Sequence, residues 1–565
     1  MISEIHLNTN RLKTKYFVRV IFILLFCLFN RVSNSQIPNC TWVENAGGSQ
    51  GLNVNVVQKM AKDSKGNIFV AGYFQGPDLI IGVDTFYNSG SSQQIYIAKY
   101  DSNGTVLWSK SAGGPYGDLV TGLLIDANDN VYLAGNLGGP EIHFDTDTVF
   151  ANNFLDGFIV KLDSAGHSIW IRALTGSGPD MIHGISFDLS GNVLLTGELN
   201  SDSLILNNND TLLKDAFSSN TFILNMDKTG MVLWGKTIHG YSSGEIISSD
   251  LFGNIFVGGR YTSTLIIPGD TISNNSGLYF LKCDSVGYPL WVNGIQSHGL
   301  YKFTDIAIDP LNNIYVQGFF DSDSLCFLTD TLINHGDLDV FLAKYETTGN
   351  ELWVKCFGGW SDELCSNISF SPSGLLYMTC SFKTPFLSID TTDLTNNSLA
   401  TYPDLFVAGL DTAGKALWAF NIGGRYGEDV GGIIADSSGF YLAGTLAIPP
   451  VNFQNMLLTN HRGGDFFVSK WGDSPLLADP FYISYKQIDI FPNPAQSLLR
   501  IKLPEEIKGP LKLSIYNSLG SIISEITGFA KQCLSLDVNS YPNGFYFLRV
   551  NAGDNTFMKK FIIEH

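Results

Sequence analysis

Apolar residues in this chain occur in short runs that alternate with polar or glycine-containing turns. In Ile95–Trp108 an apolar run (IYIAKY) is followed by the polar turn DSNG and by a second apolar run (TVLW). Runs of about four to eight residues bounded by such turns are typical of β-strands, and no long segment carries the period of an amphipathic helix. The pattern therefore predicts an all-β protein.

This turn and the strand after it recur six times at one spacing. Each copy has an acidic residue, a glycine three residues later and a tryptophan four residues after that, in Tyr100–Trp108, Leu162–Trp170, Met226–Trp234, Cys283–Trp291, Tyr345–Trp353 and Leu410–Trp418. In a hairpin the acid bonds to its own turn, and glycine takes the positive φ angle that a bulge requires. Repetition at one spacing indicates a repeat protein.

One repeat contains about 60 residues and four predicted strands. A second tight turn, as in DSKGNIFVAG (Asp63–Gly72), joins two more apolar runs, and a further run such as DVFLAKY (Asp339–Tyr345) precedes the acid–glycine turn. A segment of variable sequence, often with Asp-Thr, separates these parts. Four short strands per repeat is typical of a β-propeller blade.

The two ends of the repeat array complement each other. The first repeat begins with a lone tryptophan strand (Asn39–Gly47), and the last ends with DFFVSKW (Asp465–Trp471) with no tryptophan strand after it. Pairing these two strands would complete a seventh four-stranded blade and close the ring, which leaves only short protected edges.

These repeats resemble, over residues 39–473, the seven-bladed β-propeller repeats of bacterial secreted and surface proteins. The resemblance implies an all-β fold: a seven-bladed β-propeller at residues 36–473, closed by the N-terminal strand and followed by a small C-terminal β-sandwich. Tight turns would lie on one face of the ring. Double-glycine loops and the variable segments would lie on the other, where we expect recognition of a ligand.

The C-terminal part breaks the repeat. Residues 474–487 read as a linker, and residues 488–565 contain Pro492-Asn493-Pro494 after an apolar strand, Gly544 before an aromatic pair, and Lys559-Lys560 near the end. This segment resembles the type A C-terminal sorting domain of type IX secretion cargo in Bacteroidota. The resemblance implies export across the outer membrane by the type IX machinery, followed by surface attachment or release. The alternative is a plain accessory sandwich.

Residues 1–35 have the pattern of a signal peptide. Basic residues precede ten apolar residues, Val20–Phe29, and small residues follow at a plausible cleavage site before Gln36. This apolar run is shorter than the ~20 residues of a spanning helix, although a retained anchor is the alternative. We therefore expect passage through the periplasm to the medium or the outer-membrane surface.

Composition excludes some partners. The net charge is −19, and removal of residues 1–35, which carry five Lys/Arg and one Glu, makes it −19 − 4 = −23. A chain this acidic is not expected to bind nucleic acid. Seven cysteines remain in the mature chain, and none forms a C-x-x-C pair, so the sequence favours buried thiols. The alternative is one disulfide between Cys356 and Cys365.

One set of polar residues is a candidate site. Four acids occupy the same repeat position, eight residues before the first residue of the second tight turn (Asp63 and its equivalents): Asp118, Asp180, Glu363 and Glu428. In a propeller this position begins each innermost strand, so the acids would ring one mouth of the central channel. They would bind a cation such as Ca²⁺ or a polyhydroxyl ligand. Alternatively, they bond to local turn N–H groups and orient the strands.

The sequence contains no catalytic motif in a suitable context. A P-loop match at Gly230–Thr237 and a nucleophile-elbow match at Gly47–Gly51 are coincidences of the repeat, since neither has the helix that the motif requires. We expect no catalytic residue, no metal and no cofactor, with Ca²⁺ as the open exception.

The sequence favours a non-enzymatic, monomeric binding or adhesion scaffold, exported by its C-terminal domain, with a glycan or protein ligand on the variable-loop face. The alternative is an extracellular polysaccharide hydrolase or lyase acting at the channel mouth, which would need two carboxylates about 5–10 Å apart. A third interpretation is a ring that serves only as a spacer.

Overall fold

The computed structural model describes residues 37–565 except 50–53, 89–91, 115, 145–146, 153–154, 207–210, 216–218, 274–275, 399–401, 448–449, 454–455, 459–463, 473–487, 504–507, 518–521, 530, 532 and 553–554. The described residues form strands, turns and loops, so the all-β prediction is confirmed. Within those ranges no helix has the length and apolar character to cross a membrane. The predicted signal peptide and linker lie outside the described residues.

The described residues of the first half of the repeat region form nineteen strands. In chain order they are β1 (Asn39–Ala46), β2 (Val54–Lys62), β3 (Ile68–Gln75), β4 (Asp78–Ile81), β5 (Asp84–Tyr87), β6 (Gln94–Tyr100), β7 (Val106–Ala112), β8 (Leu119–Ile125), β9 (Val131–Asn136), β10 (Glu141–Phe144), β11 (Asp147–Phe150), β12 (Gly157–Leu162), β13 (Ser168–Ala173), β14 (Met181–Phe187), β15 (Val193–Leu199), β16 (Ser203–Ile205), β17 (Thr211–Leu213), β18 (Asn220–Met226) and β19 (Val232–Ser249).

The second half continues the same order. Its strands are β20 (Ile255–Ile267), β21 (Asp270–Ser273), β22 (Gly277–Cys283), β23 (Pro289–Gln296), β24 (Tyr301–Ile308), β25 (Ile314–Phe320), β26 (Ser324–Cys326), β27 (Thr331–Ile333), β28 (Asp339–Tyr345), β29 (Glu351–Phe357), β30 (Glu363–Phe370), β31 (Leu376–Phe382), β32 (Phe386–Ile389), β33 (Thr392–Thr395), β34 (Asp404–Leu410), β35 (Ala416–Ile422), β36 (Glu428–Asp436), β37 (Gly439–Leu446), β38 (Val451–Phe453), β39 (Met456–Leu458) and β40 (Asp465–Gly472).

These strands form seven antiparallel four-stranded units. From the innermost strand outward the units are β2-β3-β6-β7, β8-β9-β12-β13, β14-β15-β18-β19, β19-β20-β22-β23, β24-β25-β28-β29, β30-β31-β34-β35 and β36-β37-β40-β1. We call them sheets 1 to 7. Strand β19 serves two sheets, because its first half pairs with β18 and its second half with β20.

The N-terminal strand completes the last sheet, as the sequence predicts. Strand β1 pairs with β40 from Asn39–Gly472 to Ala46–Phe466. Each innermost strand contacts the next one, in the order β2, β8, β14, β19, β24, β30 and β36. The last of these strands, β36, contacts β2. The sheets therefore follow one another around a closed ring.

The repeated tryptophan and glycine join neighbouring sheets. Several indole N–H groups donate to a carbonyl in the acid–glycine turn of the next sheet, for example from Trp108 to Ser164 and from Trp291 to Thr347, each at 3.2 Å. The turn glycine, Gly349, has a φ of 91°, and a Cβ there would lie 3.0 Å from the Trp291 ring. A larger residue would be both strained and crowded. Trp42 makes the same bond, to Ser102 at 3.0 Å, across the closing interface.

A bulge in every innermost strand also links the sheets. The register shifts at one equivalent residue in each strand, which are Gln58, Thr121, His183, Glu245, Thr304, Ser366 and Gly431. Several of these side chains bond to the inner strand of the next sheet; Glu245, for instance, accepts the backbone N–H of Phe303 at 2.8 Å. Bulges re-aim side chains in this way.

Each variable segment folds into an extra hairpin that the sequence analysis did not identify. The described hairpins are β4-β5, β10-β11, β16-β17, β20-β21, β26-β27, β32-β33 and β38-β39; Asp84-Thr85, Asp147-Thr148 and Asp270-Thr271 lie in the second strands of three of them. Several hairpins bridge to the preceding sheet, as in Gly47–Ile80 and Gly423–Asn452. Each repeat therefore holds six strands, and the hairpins cover the joints between sheets.

The C-terminal part is a β-sandwich with its own core, and the Phe252 ring, between β19 and β20, contacts its Tyr516 and Phe547 rings. Its strands are β41 (Asp489–Phe491), β42 (Leu498–Lys502), β43 (Pro510–Asn517), β44 (Ile522–Phe529), β45 (Cys533–Asp537), β46 (Gly544–Ala552) and β47 (Asn555–Ile563). They form the sheets β41-β42-β45 and β44-β43-β46-β47. Alternate residues of both sheets, such as Leu499, Leu513 and Leu548, pack into one core, as expected for a sandwich.

The mature cysteines are thiols in the structure. All seven, including Cys356 and Cys365, are free. The alternative of a disulfide between Cys356 and Cys365 is therefore not observed. Cys283, Cys365 and Cys380 are buried among apolar residues, as the favoured interpretation predicts.

Candidate functional site on the loop face

The four predicted acids lie at equivalent places and are fully buried. Glu363 and Glu428 are the first residues of β30 and β36, and Asp118 and Asp180 directly precede β8 and β14. The exposed fraction of each residue is 0%. All four lie at the end of the ring that carries the double-glycine loops, which we call the loop face.

Backbone N–H groups donate hydrogen bonds to these carboxylates. Asp118 accepts from Gly114 and Gly138, each at 3.0 Å. Glu363 accepts from Gly359 at 2.7 Å, and Glu428 accepts from Gly424 at 3.2 Å. In these three cases the donor belongs to the double-glycine loop four residues upstream, so the acid fixes the shape of that loop.

Asp180 makes the same kind of contact with a different loop. One of its oxygens accepts the N–H groups of Asn200 and Ser201, each at 3.0 Å, and the other accepts the Ser201 hydroxyl. These bonds match the interpretation that the sequence left open, in which the acids bond to local donors. Binding of a cation or polyhydroxyl ligand by the four acids stays a prediction.

Burial also sets the protonation of these groups. It raises the pKa of Asp118 to about 6 and that of Glu363 to about 7, against the lowering effect of their N–H donors. Burial raises the pKa of Glu428 to about 8, and the charge of Asp404 adds to this rise. Burial likewise raises the pKa of Asp180. Desolvation disfavours the charged form in each case.

The loops held by three of these acids carry aromatic side chains; Trp360 and Tyr116 are exposed, and Tyr426 is half-buried. Trp360 follows Gly359 and is 69% exposed, and Tyr116 lies two residues after Gly114 and is 47% exposed. Tyr426 lies two residues after Gly424, and its ring is 6.1 Å from that of Tyr402. The Arg425 guanidinium lies 5.9 Å from the Tyr426 ring.

The sequence analysis did not identify these aromatic residues, because it considered only the acidic residues at the repeated position. The signal was present, since an aromatic stands one or two residues after the second glycine in GGPYGD, GGWSDE and GGRYGED. It also missed the bulged residues of the inner strands, although each lies three residues after the acid position. Fixed spacing across repeats would have identified both sets.

The pKa of Glu428 leads to a pH prediction. A folded-state pKa above the unfolded value means that this group's contribution to stability is complete below about pH 4.5. The contribution is lost as the pH rises through about 8. Glu428→Gln should remove this loss. Between pH 5 and pH 9 the free energy of unfolding of the wild type should therefore fall by at least about 1 kcal/mol relative to that of the variant. Urea unfolding at both pH values measures the difference.

A matched control for this prediction is Asp202→Asn, because the Asp202 side chain is 91% exposed. This variant should follow the wild-type pH profile. An equal loss of stability with pH in wild type and Glu428→Gln would contradict the assigned role of Glu428.

The sorting motif joins the first and last strands of the C-terminal sandwich. The Asn493 side-chain oxygen accepts the Ile562 N–H at 2.8 Å. Ala495 donates to the Ile562 carbonyl at 2.8 Å and accepts the Glu564 N–H at 3.0 Å. Pro492 and Pro494 line an adjacent cleft of about 430 Å³.

The other motif residues lie on the paired strands β46 and β47. Gly544 begins β46 opposite Ile563 and has a φ of 154°. In the same register, Lys559 lies opposite Leu548 and Lys560 opposite Phe547. Asn493 and Gly544 therefore lie beside the end of β47, whereas Lys559 and Lys560 lie in the middle of that strand.

Comparison with known families identifies this sandwich. Residues 489–564 match the family model described as a secretion system C-terminal sorting domain. This segment is a sorting domain. The sorting domain marks the protein as cargo that is exported by type IX secretion to the cell surface or released, and the secretion machinery is its partner.

The chain is also similar to a repeat protein of unknown function. An uncharacterized WD repeat-containing protein of Acanthamoeba polyphaga mimivirus is 25% identical over 530 residues, and the match covers 75% of this chain and 38% of that protein. This chain thus spans well under half the length of that relative.

Two solved structures are also similar. The Pan2 WD40 domain of Neurospora crassa has 9% identity and a TM-score of 0.39, and the match covers 77% of this chain and 98% of that one. A Synechocystis apocarotenoid oxygenase has 10% identity and a TM-score of 0.37, with 76% and 97% covered.

Proposed function

We propose that this exported protein is a non-enzymatic carbohydrate-binding scaffold whose binding surface is the loop face. The observation that carries the proposal is the exposure of Trp360, Tyr116 and Tyr402 on this face, with the half-buried Tyr426 ring beside Tyr402. Exposed aromatic rings offer apolar area at low entropic cost, and sugar rings present C–H faces that pack on them. We propose further that the protein comes from a member of the Bacteroidota and acts as a monomer.

The buried acids support a binding role rather than a hydrolytic one. A glycosidase needs two carboxylates that reach the substrate from solvent. Here Asp118, Asp180, Glu363 and Glu428 are fully buried and accept hydrogen bonds from the protein itself. Their contribution is to fix the loops, so that the aromatic side chains are held ready for a ligand.

The test is binding of the purified mature chain to an array of neutral polysaccharides. Against a polysaccharide that binds, Trp360→Ala and Tyr426→Ala should each weaken the affinity at least about tenfold, or 1.4 kcal/mol. Phe386→Ala is the matched control, because Phe386 is 73% exposed but lies on the hairpin strand β32. Equal affinities for Trp360→Ala and Phe386→Ala would contradict this binding surface.

A further inference from the structure

Three side chains with metal-binding chemistry converge in sheet 5, at the loop face. His335 Nδ1 lies 2.8 Å from Asp339 Oδ2, and Cys356 Sγ lies 3.2 Å from the same oxygen. The distance from Sγ to Nδ1 is 3.9 Å. Asp339 is the first residue of β28, and Cys356 is on the neighbouring strand β29.

Sheets 6 and 7 have an amide in place of the thiol, and sheet 6 also has an amide in place of the imidazole. In sheet 6 the equivalent acid, Asp404, accepts from the Asn397 side chain at 3.3 Å and from the Asn421 side chain at 3.0 Å. In sheet 7 Asp465 accepts from Asn45 at 3.1 Å. Asn421 and Asn45 stand in the same cross-strand register as Cys356, opposite the residue two positions after the acid.

The backbone contact is also equivalent. The Asn397 N–H donates to Asp404 at 2.8 Å, and the His335 N–H donates to Asp339 at 2.8 Å. The fold of this corner therefore does not require imidazole or thiol. Sheet 5 differs from sheet 6 at the two side chains that would ligate a metal, while the carboxylate and the backbone bond are retained.

Asp339 keeps binding capacity that the described residues do not use. The residue is 0% exposed, and its Oδ1 atom has no hydrogen-bond partner among the described residues. His335 Nδ1 lies 2.8 Å from the other carboxylate oxygen, and the charge of Asp339 adds to the rise that burial causes in the pKa of Glu363. A buried carboxylate without full compensation is costly, and a bound cation would offset that cost.

We propose that His335, Asp339 and Cys356 bind a single Zn²⁺ ion. Imidazole nitrogen, thiolate sulfur and carboxylate oxygen are the ligands that Zn²⁺ takes in proteins. Tetrahedral zinc sites hold such ligand atoms about 3.4–3.6 Å apart, as follows from their bond lengths. The separations of 2.8, 3.2 and 3.9 Å lie around these values.

The ion would take the place of the protons that now join Cys356 and His335 to Asp339. Its fourth coordination position would have no protein ligand among these residues. Cys356 would lose its thiol proton to solvent, and His335 Nδ1 would exchange its contact with Asp339 for the metal. The His335 side chain is 55% exposed, so a water molecule can take the fourth position. Such a site with three protein ligands is open rather than closed.

The same three residues do not fit a nucleophilic triad. In a triad the imidazole stands between thiol and carboxylate and uses both ring nitrogens. Here thiol and imidazole contact the same carboxylate oxygen, and both short imidazole contacts use Nδ1. Burial, followed by the charge of Asp339, raises the pKa of the Cys356 thiol well above its usual value, whereas a nucleophilic thiol needs a lowered one.

The site departs from the expectation of no metal that the sequence supports. His335 follows the hairpin strand β27, Asp339 begins the next strand and Cys356 lies on the strand after that. No zinc motif has this spacing, and only the pairing of β28 with β29 brings the residues together.

The experiment titrates Zn²⁺ and Co²⁺ into the mature protein after chelator treatment and dialysis. We expect one equivalent of Zn²⁺ with a Kd below about 10 μM, and a thiolate-to-Co²⁺ charge-transfer band in the near ultraviolet. Cys356→Ser should abolish the band and weaken Zn²⁺ binding at least about tenfold. Failure of the wild type to bind one equivalent would overturn the proposal.

The double variant His335→Asn/Cys356→Asn separates binding from folding, because amides are the side chains that bond to the equivalent acid, Asp404, in sheet 6. It should unfold at the wild-type temperature without metal and bind no Zn²⁺ at this affinity. Cys533→Ser, which removes an exposed thiol of the sorting domain, should keep both the stoichiometry and the band. Zn²⁺ binding retained by the double variant, or lost in Cys533→Ser, would overturn the assignment.

Discussion

A mature chain that lacks residues 37–47 is expected to lose its folded ring. Strand β1 supplies the outer strand of sheet 7 and pairs with β40 along its length. Its deletion exposes β40 as an open edge and uncovers Phe466 and Trp471, which are fully buried in the intact protein. It also removes the Trp42–Ser102 bond to sheet 1.

The expected loss is on the order of 5 kcal/mol or more, which is comparable with the net stability of a typical domain. An exposed apolar edge strand also promotes association with other chains. Circular dichroism on heating should show a lower or absent transition, and light scattering should show aggregation. A deletion variant that melts within a few degrees of wild type would contradict ring closure by β1.

A rearranged chain provides the control for this deletion. Asn39 lies opposite Gly472, so residues 39–47 can be placed directly after Gly472 through a DSNG turn, as in Tyr100–Trp108. This order reproduces the other repeats, in which the tryptophan strand follows its neighbour in sequence. The rearranged protein should recover most of the wild-type melting temperature, because the same strand fills the same place.

Ending the chain at residue 487 should abolish export to the cell surface. The truncation removes the sorting domain at residues 489–564, while every sheet of the ring remains. Cell fractionation and protease digestion of intact cells should find the truncated protein inside the outer membrane and the full-length protein outside it. The expected effect is nearly complete loss of surface or released protein.

The truncated protein itself shows whether the loss concerns the export signal or the fold. Its melting temperature should match that of the ring in the full-length chain, since the sandwich has its own core. A second variant, Asn493→Ala, keeps the domain but removes the bond to Ile562. Wild-type surface amounts of the truncated protein would show that residues 488–565 are not required for export.

Much of the fold could be read from the repeat. The acid, glycine and tryptophan of Asp101, Gly104 and Trp108 each have a local or nearest-neighbour role, which is to build a tight turn or to bond to the next sheet. Interactions that repeat at one spacing leave a visible pattern in the chain. The hairpins in the variable segments were missed because their sequences differ between repeats while their backbone pairing does not.

The candidate site was predicted only in part. The sequence places Asp118 and Glu363 at equivalent positions, but it does not show which donors surround them. Those donors, Gly114 and Gly359 among others, come from loops that fold back over the acid. The direction of a carboxylate and the exposure of Trp360 depend on this folding back.

By itself, the sequence determined the all-β class, the repeat unit and the C-terminal sorting segment, because each depends on residues close together in the chain. Only the tertiary structure decided that the acids are buried beneath their loops, that aromatics face solvent and that His335, Asp339 and Cys356 meet. Those outcomes depend on the pairing of strands and on contacts between sheets. Burial, pKa and ligand geometry arise from neighbours in space, and spacing in the chain does not specify them.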